Sequence, residues 1–236
     1  MIDSRGAQGY IWRMKSDGKE AAAGPQRCRR CGRCCQQGGP ALHHEDQPLL
    51  EEGWIKLASL YTIRRGEPAR DNVRGGIVPV SEDIIKVKSR PGTSTCLYYQ
   101  DADCSCGIYE QRPAECRVLK CWDTSEFLAM YDKNRLGRQY LLSAKPALWT
   151  LVRDHQQECD YDKIARLVKT GDKEQLAHLV RYDGHIRKLV VEKLGLDANV
   201  LDFLLGMPLS VTIRRYGLQP ADMGMGAPRR TLNAYF

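Results

Sequence analysis

Cys28-Arg29-Arg30-Cys31-Gly32-Arg33-Cys34-Cys35 is the most informative stretch of this 236-residue chain. It carries four thiols in eight residues. Two residues separate Cys28 from Cys31, two more separate Cys31 from Cys34, and Cys35 follows Cys34 directly. Five of the six remaining cysteines form a second group: Cys96, Cys104, Cys106, Cys116 and Cys121. The tenth, Cys159, stands apart. Thiols this dense exceed what core packing needs, so the sequence predicts a metal site.

The composition is that of an ordinary globular protein, with 42% hydrophobic and 28% charged residues. No apolar run approaches the length that spans a membrane, and the first residues lack the apolar segment of a secretory signal. We therefore expect a cytoplasmic protein with no membrane association. Thiols stay reduced in the cytoplasm, so the cysteines are expected to bind metal rather than to form disulfides.

The formal charge of +7 treats every thiol as neutral. Metal ligation requires thiolates, and eight of them would change +7 to −1 before any metal charge is added. Arg27, Arg29, Arg30 and Arg33 are placed to lower the thiol pKa values and to offset a negative metal–thiolate centre. A nucleic-acid patch is the rival interpretation, but no aromatic residue interleaves these arginines for base stacking.

The predicted fold is mainly α, with an irregular metal-organised cysteine module and minor β structure. Residues 1–27 are expected to form a flexible lead, and residues 28–122 the cysteine module. Residues 123–236 show helical patterning and are expected to pack as a helical region against the module. The tail from Gly206 is expected to pack irregularly or fray.

Local patterns predict individual elements. Apolar residues at three- and four-residue steps predict a helix over residues 45–63. Residues 77–80 and 84–88 are β-prone, with Pro79 restricting the first to an edge. Gly171 is a helix stop, and Asp172 is placed to cap the next helix.

Pro113 is expected to open a helix towards Trp122. Cys116 and Cys121 are five residues apart, which is about 140° around an intact helix. Either this helix ends before Cys121, or the two cysteines serve different metals.

Both zinc and an iron–sulfur cluster suit the cysteine spacing. Zinc often uses pairs of Cys-x-x-Cys, whereas Cys28, Cys31 and Cys34 with a remote fourth thiolate suit a cuboidal [4Fe–4S] cluster. The spacing favours iron–sulfur slightly. Cys35 either packs as a small apolar residue or points into a second, neighbouring centre.

The pattern as a whole resembles a known family. Cys28-x-x-Cys31-Gly32-x-Cys34-Cys35, then Cys96, then Cys106-x-Ile108-Tyr109-Glu110-x-Arg112-Pro113-x-x-Cys116-Arg117, then Cys121, is similar to the CxxCxxCC cysteine-cluster proteins. These YkgJ-like proteins are described as a zinc- or iron-chelating domain, and the resemblance covers residues 28–122. It implies eight metal-binding cysteines: Cys28, Cys31, Cys34, Cys35, Cys96, Cys106, Cys116 and Cys121. Cys104 competes with Cys106 and is set aside because of the resemblance.

Some members of that family are described as flagellin lysine methylases, which implies an iron–sulfur protein working with S-adenosylmethionine. Three functions are therefore carried forward. The first is a metal-binding protein with an iron–sulfur cluster or zinc and a redox or accessory role. The second is an S-adenosylmethionine-dependent protein lysine methyltransferase, and the third is a zinc-stabilised interaction module. The sequence leaves open whether the chain is an enzyme, and it identifies no catalytic or cofactor-binding residue.

Other candidate residues are secondary. His43 and His44 are intermediate candidates for metal ligands, although eight thiols already suffice for two four-coordinate centres. Arg112 is expected either to donate to cluster sulfurs, to brace a carboxylate or to be solvated. His155, His178 and His185 are expected at helix surfaces or caps, and Cys159 at a helix end. We expect a protein partner of unknown identity and no nucleic-acid partner.

Overall fold

The computed structural model describes residues 30–225. They form a mainly α-helical protein with minor β structure, as predicted. The strands are β1 Leu60–Ile63, β2 Pro68–Arg70, β3 Ile77–Pro79, β4 Ile84–Val87, β5 Tyr99–Gln100 and β6 Ser105–Cys106. The helices are α1 Gln47–Glu51, α2 Ala114–Val118, α3 Ser125–Met130, α4 Arg138–Leu142, α5 Pro146–Glu158, α6 Tyr161–Thr170, α7 Lys173–Leu194, α8 Leu201–Leu205 and α9 Leu209–Thr212. The predicted lead over residues 1–27, and Cys28 with it, lies outside the described residues.

The long helix predicted over residues 45–63 is wrong. Only α1 is helical there, followed by a 3-10 turn over Leu57–Ser59 and then by β1. Gly53 has a φ of +79°, in the left-handed region that favours glycine, and the Ile55 amide folds back to donate to the Leu49 carbonyl at 2.9 Å. The apolar spacing was only partly correct about burial, because Leu49 is buried but Trp54 is 45% exposed, and the turn and the strand bury Ile55 and Leu60 instead.

Strand β4 organises the cysteine module because both of its edges are paired. β1 pairs with it antiparallel, with Leu60 opposite Val87 and Ile63 opposite Ile84. Along its other edge, the Leu42 amide donates to the Ile85 carbonyl at 2.9 Å, and the Val87 amide donates to the Pro40 carbonyl at 3.0 Å. The chain that leaves the first cysteine group is thereby fixed beside the chain that leads to the second.

Two small hairpins complete the β structure. β2 pairs with β3, and Pro68 lies opposite Pro79 in this two-stranded sheet. The predicted edge position of Pro79 is thus confirmed. β5 pairs with β6, which makes the acidic stretch between Cys96 and Cys106 a hairpin with Tyr99 opposite Cys106.

Helix ends lie where the capping residues predict them. Gly171, at a φ of +74°, ends α6, and the Asp172 side chain accepts from the Gln175 amide at the start of α7. α2 follows Pro113 and stops at Val118, so the helix ends before Cys121. The first of the two alternatives for Cys116 and Cys121 is therefore correct.

The largest apolar core joins the cysteine module to the helices. Leu60 and Ile85 from β1 and β4 pack in one buried cluster with Phe203 and Leu204 of α8. The Thr62 hydroxyl, wholly buried, donates to the Phe203 carbonyl at 2.7 Å. Burying apolar surface stabilises a fold by about 25 cal/mol per Å². Because this shared core is the largest apolar cluster, it is the main source of stability.

A second apolar cluster lies between α6, α7 and the segment after α8. Its buried members include Ile164, Leu179, Leu209, Ile213 and Met223. The segment after Gly206 therefore packs, through α9 and short 3-10 turns, as far as residue 225. Within residues 30–225, no helix combines the length and the apolar character that crossing a membrane requires.

Buried charges fasten α5 to α7. Burial alone would raise the pKa of Asp183, but the Arg187 guanidinium and the His155 hydrogen bond hold it far below the usual carboxyl range. The ionised carboxylate accepts from His155 Nε2 at 2.8 Å, from Arg187 Nε at 3.0 Å and from the Leu209 amide at 2.9 Å. The predicted surface position of His155 is wrong, since the side chain is buried to complete this network, whereas His178 and His185 are exposed.

A second charged group lies where β1 ends. The wholly buried Arg64 donates through Nη1 to the Cys159 carbonyl at 3.1 Å. Glu67, also wholly buried, accepts from the Arg64 amide at 3.1 Å and pairs with Arg215 at 2.5 Å. Cys159 itself is buried at the C-terminal end of α5, as predicted.

Asp183→Asn is expected to lower the free energy of unfolding by about 3–5 kcal/mol, because it removes the nearer counter-ion of the buried Arg187 and leaves only Asp202, at 3.9 Å. Asp132→Asn is the control, since Asp132 pairs with Arg74 at the exposed surface, where solvent screens the charges, and its loss should cost far less than that of Asp183. Urea titrations of both variants measure the difference. Equal losses of unfolding free energy would contradict the role of Asp183 as the centre of a stabilising buried network.

The stability of Asp183→Asn should also depend on acid pH differently from that of the wild type. The native pKa of Asp183 lies below the unfolded value of about 4, so below that pH the unfolded state takes up a proton first. The contribution of Asp183 is complete above pH ~4 and declines as pH falls towards the native pKa. The wild-type free energy of unfolding should therefore fall more steeply below pH ~4 than that of Asp183→Asn.

Candidate metal centre

The first cysteine group is shaped by a glycine that only fits without a side chain. Gly32 has a φ of +71°, and a Cβ there would lie 2.6 Å from Cζ of the Tyr99 ring. The Gln36 amide donates to the Gly32 carbonyl at 3.0 Å and closes the loop. A 3-10 turn over Cys35–Gln37 follows. Cys31 and Cys34 are exposed and Cys35 is half-buried.

Cys96 reaches the first group through a backbone hydrogen bond. The chain beyond β4 turns back on itself, so that Ser89 lies opposite Cys96. The Cys96 amide then donates to the Cys35 carbonyl at 2.7 Å. Cys96 is buried, at 7% exposure. Sixty residues of sequence separate two cysteines whose backbones touch.

Cys106 and Cys104 have different surroundings. Cys106 lies on β6 and is half-buried, whereas Cys104 is exposed in the hairpin loop at a φ of +54°. A hydrogen bond with the Cys104 thiol raises the pKa of the Tyr99 phenol to about 12. Cys106 instead interacts electrostatically with Cys96 and Cys116. The hairpin therefore turns Cys106 towards the other thiols and Cys104 towards Tyr99.

Cys116 and Cys121 come from α2 and from the turn after it. Cys116 lies in the middle of the five-residue helix, and Cys121 is exposed in a turn in which Lys120 lies opposite Asp123. The end of α2 at Val118 frees Cys121 from the helical geometry. Its direction is therefore set by the turn.

The sulfur atoms influence one another's protonation. A hydrogen bond with the Cys35 thiol lowers the pKa of Cys34 to about 6, and the same bond raises the pKa of Cys35. Burial, and then the neighbouring thiols, raise the pKa values of Cys96 and Cys116. Crowded thiolates repel one another unless a cation lies among them, so the donor set suits a metal that binds sulfur.

Five of the eight predicted ligands are joined by these interactions: Cys34, Cys35, Cys96, Cys106 and Cys116. Cys31 and Cys121 are exposed. Cys28 lies outside the described residues. Among residues 30–225, no three His, Cys, Asp or Glu side chains are arranged as a closed set of metal ligands.

His43 and His44 have protein partners instead of a place among the sulfurs. Buried His43 is hydrogen-bonded through Nδ1 to the Lys133 carbonyl at 2.8 Å, and its Nε2 lies 3.5 Å from Glu115 Oε1. The ring of His44 packs edge-on against Tyr140, with 4.4 Å between centroids. Both rings are therefore engaged by other protein groups.

Two arginines lie over one tyrosine beside the cysteines. The guanidinium carbon of Arg112 is 4.1 Å from the centre of the Tyr109 ring, and that of Arg30 is 4.5 Å away. Arg112 also donates to the Tyr109 carbonyl at 2.7 Å. Arg112 is thus held by Tyr109 rather than by a carboxylate or a sulfur, and both guanidinium groups stack on a tyrosine whose backbone amide donates to the Cys106 carbonyl at 3.1 Å.

Sequence reasoning overlooked two buried carboxylates, Asp46 and Glu115. Both accept hydrogen bonds from backbone amides of distant segments. The local signal is weak: Asp46 lies three residues after His43 and accepts from its amide, as the last residue of a capping box does, but His-x-x-Asp is not the usual capping-box sequence.

The comparisons with known proteins agree with the sulfur pattern. Residues 27–134 match the family model CxxCxxCC, described as "putative zinc- or iron-chelating domain". No curated protein and no solved structure matches the chain. The sulfur-rich segments that meet around Cys35 and Cys96 thus lie within residues 27–134, the part of this chain that matches the CxxCxxCC family model.

Proposed function

We propose that this chain is a metal-binding protein whose cysteines hold iron as an iron–sulfur cluster, with zinc as the alternative metal. The centre has a redox or accessory role. The proposed ligands are the eight cysteines of the family pattern: Cys28, Cys31, Cys34, Cys35, Cys96, Cys106, Cys116 and Cys121.

The observation that carries the proposal is the meeting of thiols from four separate segments. Cys35 and Cys96 share a backbone hydrogen bond, and Cys106 and Cys116 interact electrostatically with Cys96. Four well-separated segments rarely bring thiols together for packing alone. A metal bound by them supplies folding free energy to a region with little regular structure.

Iron is preferred over zinc because of the spacing of the first group. Cys28, Cys31 and Cys34 repeat at three-residue steps, which suits three corners of a cuboidal cluster with a remote fourth thiolate. Such a cluster supplies one-electron transfer when bound. Arg30 and Arg112, stacked on Tyr109, favour a centre that carries net negative charge.

Metal and sulfide analysis tests the proposal directly. The full chain, purified without oxygen, should contain iron and acid-labile sulfide in similar amounts and should absorb visible light. Zinc without sulfide, in colourless protein, would select the zinc alternative. Protein that retains neither metal, even after reconstitution with iron and sulfide or with zinc, would overturn the proposal.

Single substitutions test the ligand assignment. Cys31→Ser and Cys96→Ser should each lower the metal content per chain several-fold, because each removes a thiolate. Cys159→Ala is the matched control, since this buried thiol lies in the second apolar cluster and not among the proposed ligands. It should cost about 1 kcal/mol of stability and leave the metal content unchanged. Equal metal loss in all three variants would contradict the assignment.

The shape of the first cysteine loop can be tested without metal. Gly32→Ala should lower the free energy of unfolding by more than about 2 kcal/mol, because it combines left-handed strain with overlap of the Tyr99 ring. Gly53→Ala is the control: its φ is also positive, but a Cβ there meets open space. Its cost should be about 1 kcal/mol. Chemical denaturation of the metal-free proteins measures both, and equal costs would show that Tyr99 does not constrain the loop.

A further inference from the structure

Two buried carboxylates hold α2 where it presents Cys116. Asp46 is wholly buried and Glu115 is 6% exposed. Carboxylates are almost never buried unless their oxygens have partners. The proposed function assigns neither residue a role, and both have well-defined partners.

Asp46 caps α2 from a distant part of the chain. The residue before the helix is Pro113, whose side chain makes no capping hydrogen bond. Asp46 Oδ1 instead accepts from the amide of Ala114, the first residue of α2, at 2.8 Å. Its Oδ2 accepts from the His43 amide at 2.9 Å. The first turn of α2 is thereby tied to the segment that follows the first cysteine group.

Glu115 ties the same turn to the β4 frame. Its Oε2 accepts from the Ala41 amide at 2.8 Å, and Ala41 forms a bridge with Lys86 of β4. Its Oε1 lies 3.5 Å from His43 Nε2, while His43 is held through Nδ1 by the Lys133 carbonyl. Together, the Asp46 and Glu115 carboxylates thus bind residues 41, 43 and 114.

A helix of five residues does not hold its own position, since isolated helices of this length are unstable. Its position must come from contacts made by its side chains and by its free amides. Asp46 and Glu115 provide these contacts immediately before Cys116. Their partners lie on the chain that leads back to Cys35 and across to β4.

We propose that Asp46 and Glu115 are positioning residues for Cys116, holding its thiol against Cys35 and Cys96 so that a metal can use it. The inference rests on the proposed function for its metal readout, but the position of Cys116 can also be measured without metal. Neither carboxylate is itself a ligand. Each acts through the backbone of α2.

The metal-free test is alkylation of Cys116 by iodoacetamide in the native full-length chain, followed by mass spectrometry. Asp46→Ala and Glu115→Ala should raise the rate of labelling at Cys116 by about tenfold or more, because a buried charged hydrogen bond is lost. Glu115→Gln keeps an acceptor for the Ala41 amide and should restore part of the protection. Unchanged labelling at Cys116 in the alanine variants would overturn the inference.

Glu67 provides the matched control. It is a wholly buried carboxylate that accepts from the Arg64 amide and pairs with Arg215, and its partners among residues 30–225 include none of the eight proposed ligand cysteines. Glu67→Ala, or Glu67→Gln where the alanine variant fails to fold, should destabilise the protein without raising the labelling of Cys116 selectively. Equal labelling of Cys116 in the Glu67 and Glu115 variants would show that labelling follows general loss of stability, and this would contradict the inference.

Cobalt(II) binding to the reduced, metal-free chain tests the positioning itself, since sulfur-to-cobalt charge transfer reports bound thiolates. Glu115→Ala should lower this absorption as much as Cys116→Ser does, and the double variant should lose no more than Cys116→Ser alone. Additive losses would mean that Glu115 acts through something other than Cys116. A wild-type chain that binds no cobalt, zinc or iron would refute the proposed function, whereas the labelling result would still decide the positioning of Cys116.

Discussion

The arrangement of the cysteines depends on β4 being paired along both edges. β1 occupies one edge, and the segment around Ala41 occupies the other. These pairings set the chain that leaves Cys35 antiparallel to the chain that approaches Cys96. The hydrogen bond from the Cys96 amide to the Cys35 carbonyl then follows from the register. A slip of one residue along β4 would turn Ile85 and Val87 away from the core, so burial fixes the register as well.

Around this frame, side-chain hydrogen bonds hold chain segments that helices and strands would hold in a more regular fold. The strands have at most four residues, and α2 has five. Buried carboxylates at Asp46, Glu115 and Glu67 accept from backbone amides that no helix or strand satisfies. Such groups stabilise only when fully bonded, because a buried donor or acceptor without a partner costs about 1–3 kcal/mol. Short elements with cross-linking carboxylates can therefore hold an irregular loop in one shape.

The thiols of the cysteine module differ in how readily they ionise. Cys34 gains acidity from its bond with Cys35, while burial and neighbouring sulfurs keep Cys96 and Cys116 protonated. A sulfur-binding cation reverses this balance, because it stabilises each thiolate that burial disfavours. Arg30 and Arg112 both stack on Tyr109, with their guanidinium carbons 4.5 and 4.1 Å from the ring centre. The thiols of Cys34, Cys35, Cys96 and Cys116 thus influence one another's ionisation.

The sequence by itself determined which family pattern the cysteines match and where several local elements end. The number and spacing of the cysteines predicted the family model that residues 27–134 match. Pro79 predicted an edge strand, Gly171 a helix end and Asp172 a helix cap. The strand-edge, helix-end and cap signals are readable because each depends on neighbours within a few residues, whereas the cysteine pattern is read from the order and spacing of cysteines along the chain. Tertiary structure alone decided that residues 57–63 leave the helix for a turn and β1, that His155 is buried against Asp183, and that Asp46 caps a helix 68 residues away. Each of those outcomes depends on a partner distant along the chain, and no local pattern records which distant group will satisfy a buried amide, imidazole or carboxylate.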